Sequence, residues 1–347
     1  MESLFINIAP IGNVYVTQSQ SKFLLLIGGL FLNQKRVIIT DPVHTDGKKL
    51  LKDAGFIVDE RFGENPSVLK KLLKDYDVLI VRSATKATRD LIAESSLEVI
   101  GRAGVGLDNI DMEAAKECNI TVLNTPNAPS VSVAELVIGL IIALFRNIPL
   151  ADKGLKEGKW LKKELMGLEL KEKTLGIVGF GNIGAEVAKR AKPFEMNILA
   201  FDVLDNALEN AKRMNVEPLG PSKDALATLL TKSDVITLHV PLLPETYHMI
   251  SEREFSFIKE GVYLINTSRG GVIDEKALLK ALRSGKVAGA ALDVFETEPP
   301  SDLELIKEPN VISTPHIGST TKETQKNASV TLAQKIIDFY GSRYEFR

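Results

Sequence analysis

The chain has 347 residues, 44% apolar and 25% charged, with 25 glycines and 15 prolines; this is enough to bury a large core, and more than one compact domain usually holds. Its 43 Lys and Arg against 45 Asp and Glu, a formal charge of −2, exclude nucleic-acid binding driven by net basic charge but leave room for a small anionic substrate held by a few local bases. The single cysteine, Cys118, cannot close an internal disulfide, and no CxxC or His/Cys cluster marks a metal site, so a reducing cytoplasm and no bound metal are expected.

Near the N-terminus, residues 23–32 (FLLLIGGLFL) are almost wholly apolar. Ten residues do not cross a bilayer, which needs ~20. A secretory signal is also disfavoured, because only Lys22 precedes the run as a base and no small-x-small cleavage site follows. Residues 1–34 are therefore expected to be an extension outside the catalytic fold, with no membrane association.

From residue 36 the chain alternates short β-branched runs with helical spacing. The runs are 36–40, 55–58, 77–81, 97–101 and 119–123, separated by helical segments such as 47–54, 67–75 and 112–118. Strands alternating with helices imply a parallel sheet covered on both faces. A helix over 131–146 is apolar on nearly every side, which implies burial at a domain or subunit junction. The alternation then restarts with runs at 174–180, 196–201, 233–240, 262–266, 287–294 and 310–315, and a last helix over about 322–340 has no strand after it. The expectation is an α/β protein of two doubly wound, Rossmann-like domains. One is discontinuous, residues 35–130 with 316–347, and binds substrate; the other, residues 131–315, binds a dinucleotide.

Gly179-Phe180-Gly181-Asn182-Ile183-Gly184 is a GxGxxG between an apolar strand and a helical pattern. In that context Gly179, Gly181 and Gly184 permit a tight turn, close approach of the backbone to a pyrophosphate, and close helix–strand packing. The helix N-terminus offers N–H groups to the phosphates. Asp202 ends the next strand 18 residues after Gly184, near the ~20 expected of the carboxylate that binds the adenosine ribose. A 2′-phosphate beside it would cost on the order of 1–4 kcal/mol at water-like to surface dielectric, and Val203 and Leu204 supply no rescuing base. NAD is expected rather than NADP.

The four histidines separate by context. His44 and His248 read as turn or surface residues. His239 ends a strand, as a cofactor contact or as a satisfied strand-end histidine. His316, in STPHIGST just past a strand, lies where an open α/β sheet carries its ligand-binding residues. Hydride transfer from an alcohol carbon to NAD needs a base for the hydroxyl proton and a cation for an acid substrate. His316 suits the first role because imidazole titrates near neutrality. Arg269 suits the second through its planar fork, and Glu298 could orient His316, although sequence separation alone does not put them in contact. Arg82, Lys86 and Arg102 follow strands of the first set and are candidate cations for a phosphate; Lys86 reads equally well as an ordinary solvated base.

GFGNIG, Asp202, HVPLLPET, INTSRGGVIDE, AALDVFETEPP and TPHIGSTTKE, in this order, resemble the D-2-hydroxyacid dehydrogenases. VRSATKAT (81–88), GRAGVGLDNID (101–111) and NTPNAPSVSVAEL (124–136) are most similar to the phosphoglycerate branch of that family, and the resemblance spans about residues 36–340. It implies an active-site cleft between the domains, with His316 as acid–base, Glu298 as its partner and Arg269 as carboxylate anchor. It implies cofactor contacts at Val105, the glycine turn with Asn182 and Ile183, Asp202, His239, Val240, Pro241, Thr267, Ser268, Arg269, Asp293, His316, Ile317, Gly318 and Ser319. Substrate contacts would come from Arg82, Ser83, Arg102, Gly104, Val105, Gly106 and Asn109. The implied reaction is NAD-dependent oxidation of D-3-phosphoglycerate to 3-phosphooxypyruvate, at the start of phosphorylated serine biosynthesis, by a homodimer built around the apolar 131–146 helix region, or by a homotetramer. Glyoxylate/hydroxypyruvate or D-lactate reduction is the alternative within the family, and an NAD(H)-sensing binding protein with little turnover the alternative outside it. The chain ends at Arg347 and so resembles the short form without a C-terminal ACT-type regulatory domain.

Overall fold

In the computed structural model, residues 5–8, 12–15 and 35–344 are described. A small antiparallel hairpin, β1 (Phe5–Ile8) and β2 (Gly12–Tyr15), pairs with neither larger sheet. The apolar run 23–32 lies outside the described residues.

The chain divides into two compact units, residues 1–128 with 322–347 and residues 129–321. In the first, β3 (Arg36–Ile39), β4 (Ile57–Glu60), β5 (Val78–Val81), β6 (Val99–Arg102) and β7 (Thr121–Asn124) form a parallel sheet in the order β4-β3-β5-β6-β7. Successive side chains of a strand point to opposite faces, and here both faces are buried. Ile38, Leu79, Val81 and Ile100 meet Leu69, Leu73 and Ile92 on one side. Val37, Ile39, Val78 and Ile80 meet Leu51, Leu332, Ile336 and Tyr340 on the other. Burial on both faces is why the inner strands β3 and β5 read as apolar runs, whereas the edge strands β4 and β7 are only partly buried. The helix Lys322–Tyr344 covers the second face, where Ser329 Oγ donates to His44 O at 2.9 Å. The helix Thr45–Asp53 passes it so closely that a Cβ on Gly47 would overlap the Ser329 backbone.

The second unit carries β8 (Thr174–Val178), β9 (Asn197–Phe201), β10 (Glu217–Leu219), β11 (Val235–Leu238), β12 (Val262–Asn266), β13 (Val287–Leu292) and β14 (Val311–Ser313), all parallel, in the order β10-β9-β8-β11-β12-β13-β14. The apolar helix Ser130–Phe145 is buried inside this unit, its Val137, Ile141 and Phe145 packing on Leu175, Ile177, Val187 and Ile265. Its all-round apolarity is thus largely used against its own sheet and the helix Asn182–Ala191. Among the described residues no single helix is long and apolar enough to cross a membrane.

Some details differ from the sequence reading. β10 has no apolar signature: its middle residue is Pro218, and it pairs only with β9 at the sheet edge, where a missing N–H is tolerated. Residues 316–319, read as the start of the returning segment, fall in the second unit. Backbone hydrogen bonds to Asp293 of that unit hold them there.

Candidate active site

Open α/β sheets bind ligands beyond the carboxyl ends of their strands, where the strand order reverses. In the second unit that point lies between β8 and β11. β8 runs into the glycine turn and β11 into His239. Gly179 adopts φ +93°, and a Cβ on it would strike the His239 carbonyl. A Cβ on Gly184 would overlap Gly179 O, whereas Gly181 has open space on that side. Gly179 and Gly184 therefore close the turn, and Gly181 leaves room for a ligand against the backbone. Gly181 is the N-cap of the helix Asn182–Ala191 and supplies no capping side chain, as suits a helix end that offers N–H groups to an anion.

Asp202 follows β9. Its Oδ2 accepts from Phe180 N at 2.7 Å and its Oδ1 from Leu204 N at 2.9 Å. The carboxylate thus braces the glycine turn, and each oxygen keeps a lone pair for a ribose hydroxyl. His239 is neutral: burial pushes its imidazole down to about 3. Its Nε2 lies 3.0 Å from Thr237 Oγ1, and its Nδ1 is buried without a partner, as is Thr267 Oγ1. Such orphaned polar atoms around a turn built for a phosphate fit a dinucleotide.

Three strand-end loops carry the acid–base candidates. At the end of β12, Asn266 is 1% exposed. It accepts from Ser268 N at 3.0 Å and Ser268 Oγ at 2.8 Å, and donates to Arg269 O at 2.9 Å. Arg269 in turn donates from Nη1 to Ser268 O at 2.7 Å. The next residue, Gly270, is packed so tightly that a Cβ would overlap the Phe295 carbonyl. The Arg269 loop therefore abuts the segment that leads to Glu298. After β13, Asp293, 1% exposed, spends its carboxylate on the loop beyond β14, accepting from Thr314 Oγ1 at 2.6 Å, Ile317 N at 2.8 Å and Gly318 N at 2.8 Å.

That loop holds His316 with φ +52°, a left-handed backbone uncommon for a residue with a Cβ. There, His316 Nδ1 lies 2.8 Å from Glu298 Oε2, while Glu298 Oε1 accepts from Phe295 N at 3.2 Å. A carboxylate can only accept, so the proton of neutral His316 sits on Nδ1 and Nε2 keeps its lone pair. Both side chains are accessible, 46% and 39% exposed. The arrangement is a base at Nε2, oriented from behind by a carboxylate.

In the first unit, Arg82 and Arg102 stand at neighbouring strand ends, since Val81 is in register with Arg102. Asn109 donates both amide hydrogens to the Arg82 turn, to Arg82 O at 2.8 Å and Thr85 O at 2.7 Å. A Cβ on Gly104 would overlap Arg102 Nη1. Gly104 N donates to Arg102 O at 2.9 Å, and Asn124 Nδ2 donates to Val105 O at 2.7 Å. Ser83 and Lys86 are exposed, and Val105 and Gly106 partly so. Of the other implied cofactor residues, Asn182, Pro241 and Ile317 are exposed, Ile183, Val240 and Ser319 are partly exposed, and Thr267, Ser268 and Gly318 are buried. Asn266 and Asp41, which hold the Arg269 and Arg82 loops, have only a weak sequence signal, a polar residue at or just past the end of an apolar strand.

The family described as "D-isomer specific 2-hydroxyacid dehydrogenase, NAD binding domain" matches residues 138–318. A D-3-phosphoglycerate dehydrogenase of Methanocaldococcus jannaschii is 49% identical over 302 residues, 87% of this chain and 56% of that protein. A hydroxypyruvate reductase of Thermotoga maritima is 46% identical over 318 residues, 88% of this chain and 98% of that protein. The chain thus spans little more than half the length of the phosphoglycerate dehydrogenases it matches. Among solved structures, a glyoxylate reductase from Paecilomyes thermophila superposes with TM-score 0.79 at 32% identity, covering 88% of this chain and 95% of that one. A D-lactate dehydrogenase of Aquifex aeolicus, complexed with NAD and lactic acid, gives 0.75 at 31% identity, covering 90% and 97%.

Proposed function

Because the chain belongs to the D-isomer specific 2-hydroxyacid dehydrogenases, with its second unit as the family's NAD-binding domain, we propose that it oxidises D-3-phosphoglycerate to 3-phosphooxypyruvate, the first step of phosphorylated serine biosynthesis. The observation that carries the chemistry is the 2.8 Å contact between His316 Nδ1 and Glu298 Oε2. With Nδ1 so held, Nε2 removes the C2 hydroxyl proton, and the Glu298 carboxylate stabilises the imidazolium that results. Bound NAD would supply the hydride acceptor for C2. Arg269 anchors the substrate carboxylate through its guanidinium, oriented by the loop that Asn266 folds. The glycine turn and the helix end at Gly181 take the cofactor's pyrophosphate, and Asp202 takes the adenosine ribose.

The choice of phosphoglycerate is supported by the names of relatives 49% and 42% identical to the chain and by Arg82 and Arg102, cations suited to a phosphate dianion. A second reading, reduction of hydroxypyruvate, is favoured by the relative that matches over 98% of its own length. The steady-state values of kcat/KM with NAD separate the two. Turnover of D-3-phosphoglycerate well above that of D-glycerate and D-lactate is expected. A preference for the unphosphorylated acids would promote the second reading, and NADH binding without any turnover would leave only a sensing role. The reading extends to a cytoplasmic homodimer or homotetramer. The side chains of Ile148, Leu155, Trp160 and Met166, apolar and exposed, are candidates for its contacts.

A further inference from the structure

Of the buried groups outside the acid–base site, Asp41 is the most heavily engaged. It follows β3 at the point where the strand order of the first unit reverses, between β3 and β5. It is 3% exposed, and every hydrogen bond found for its carboxylate comes from the turn after β5. Oδ2 accepts from Arg82 N at 2.6 Å and Ala84 N at 3.2 Å; Thr85 N is 3.1 Å from Oδ2, and Thr85 Oγ1 donates to Oδ1 at 2.7 Å. Asn109 closes the turn from the other side through the Arg82 and Thr85 carbonyls. The Arg82 side chain is drawn to the same segment, with Nη1 donating to Pro42 O at 3.2 Å.

We propose that Asp41, with Asn109, is a positioning residue for substrate specificity, fixing the turn from which Arg82 reads the phosphate; this rests on the phosphoglycerate reading above. A carboxylate buried this deeply is tolerated only while its donors stay in place. The turn therefore has one well-populated conformation, and Arg82 is presented without an ordering cost when the substrate binds. The buried negative charge also lies behind an anion-binding position. A phosphate is accepted there only while the turn's N–H groups keep that charge compensated and the Arg82 guanidinium stands toward the substrate.

Asp41→Asn puts an amide donor against N–H groups that now meet an acceptor. KM for D-3-phosphoglycerate is expected to rise about tenfold relative to KM for D-glycerate, with kcat and the NADH dissociation constant nearly unchanged. Thr85→Val, which removes one donor and keeps the charge, should move the ratio in the same direction by about threefold and serves where Asp41→Asn does not fold. In an Arg82→Ala background neither substitution should move the ratio further, because a residue acting only through Arg82 has nothing left to position. Equal rises for both acids, or an undiminished effect in that background, would overturn the positioning role. An Arg82→Ala protein that loses no phosphate selectivity by itself would instead remove the phosphate reading, and this proposal with it.

Discussion

Both units use the same device and obtain different results from it. In each, a buried aspartate just past a parallel strand gives its carboxylate to the loop after the neighbouring strand: Asp41 to residues 82–85, Asp293 to residues 314–318. In each, the segment that the carboxylate holds includes one basic side chain. On the first it is Arg82, whose planar guanidinium fork suits an anion. On the second it is His316, whose Nδ1 is held by a second carboxylate, Glu298, so that Nε2 can exchange a proton. On the function proposed above, the pinned loop of the first unit serves binding, and the pinned loop with an oriented imidazole serves acid–base chemistry.

If that division holds, damage to the two loops must appear in different kinetic constants. His316→Ala should lower kcat by ~10²–10⁴-fold while the NADH dissociation constant, read by fluorescence titration, stays within about twofold; wild-type turnover would remove His316 from the chemistry. Arg82→Ala should raise KM for D-3-phosphoglycerate by at least about tenfold, or ~1.4 kcal/mol, with kcat largely kept. A loss confined to kcat would break the contrast between the loops.

The glycine turn gives a smaller effect. Asp202→Ala removes both the candidate ribose contact and the brace on Phe180 N. The NAD-over-NADP preference should narrow, by about tenfold if relief of repulsion is near the lower end of the Coulomb range. An unchanged ratio of kcat/KM values would put the ribose contact elsewhere.

The last effect concerns stability rather than turnover. His239 is held down to about 3 by burial, from an ordinary 6.5. Between these values the unfolded chain takes up a proton that the folded one refuses, so this group's share of stability is lost as pH falls from about 6.5 toward 3. His239→Gln should flatten the fall of Tm between about pH 7 and pH 4 relative to wild type. Parallel Tm curves would mean that His239 is solvated in the folded protein.

What could be read from the sequence follows the same physics. β3, β5, β8, β11 and β12 announce themselves because strands covered on both faces are apolar throughout, and GFGNIG because its neighbours are a strand and a helix. β4 begins at Ile57 rather than Gly55 because the helix before it closes at Ala54 and Gly55 turns at φ +96°. β10, three residues with a central proline, gives no such signal. His316, Arg269 and Glu298 are visible as residue types in strand-end loops, whereas the His316–Glu298 contact is not. The roles of Asp41, Asn266 and Asp293 in holding loops are also hidden, because most of their partners are backbone N–H and C=O groups, which every residue type offers. Asp41 reaches donors 41 to 44 positions away, and only the register of β3 against β5 says which they are.

The central claim is that the second unit's loops support hydride transfer from C2 of a D-2-hydroxy acid, with His316 handling only the hydroxyl proton. Turnover of D-3-phosphoglycerate deuterated at C2 with unlabelled NAD, followed by mass spectrometry of the dinucleotide, tests it most directly. The deuterium is expected in the dihydronicotinamide, with none from the L isomer; release of the C2 deuterium to water, or equal reaction of both isomers, would contradict hydride transfer with His316 as the proton acceptor.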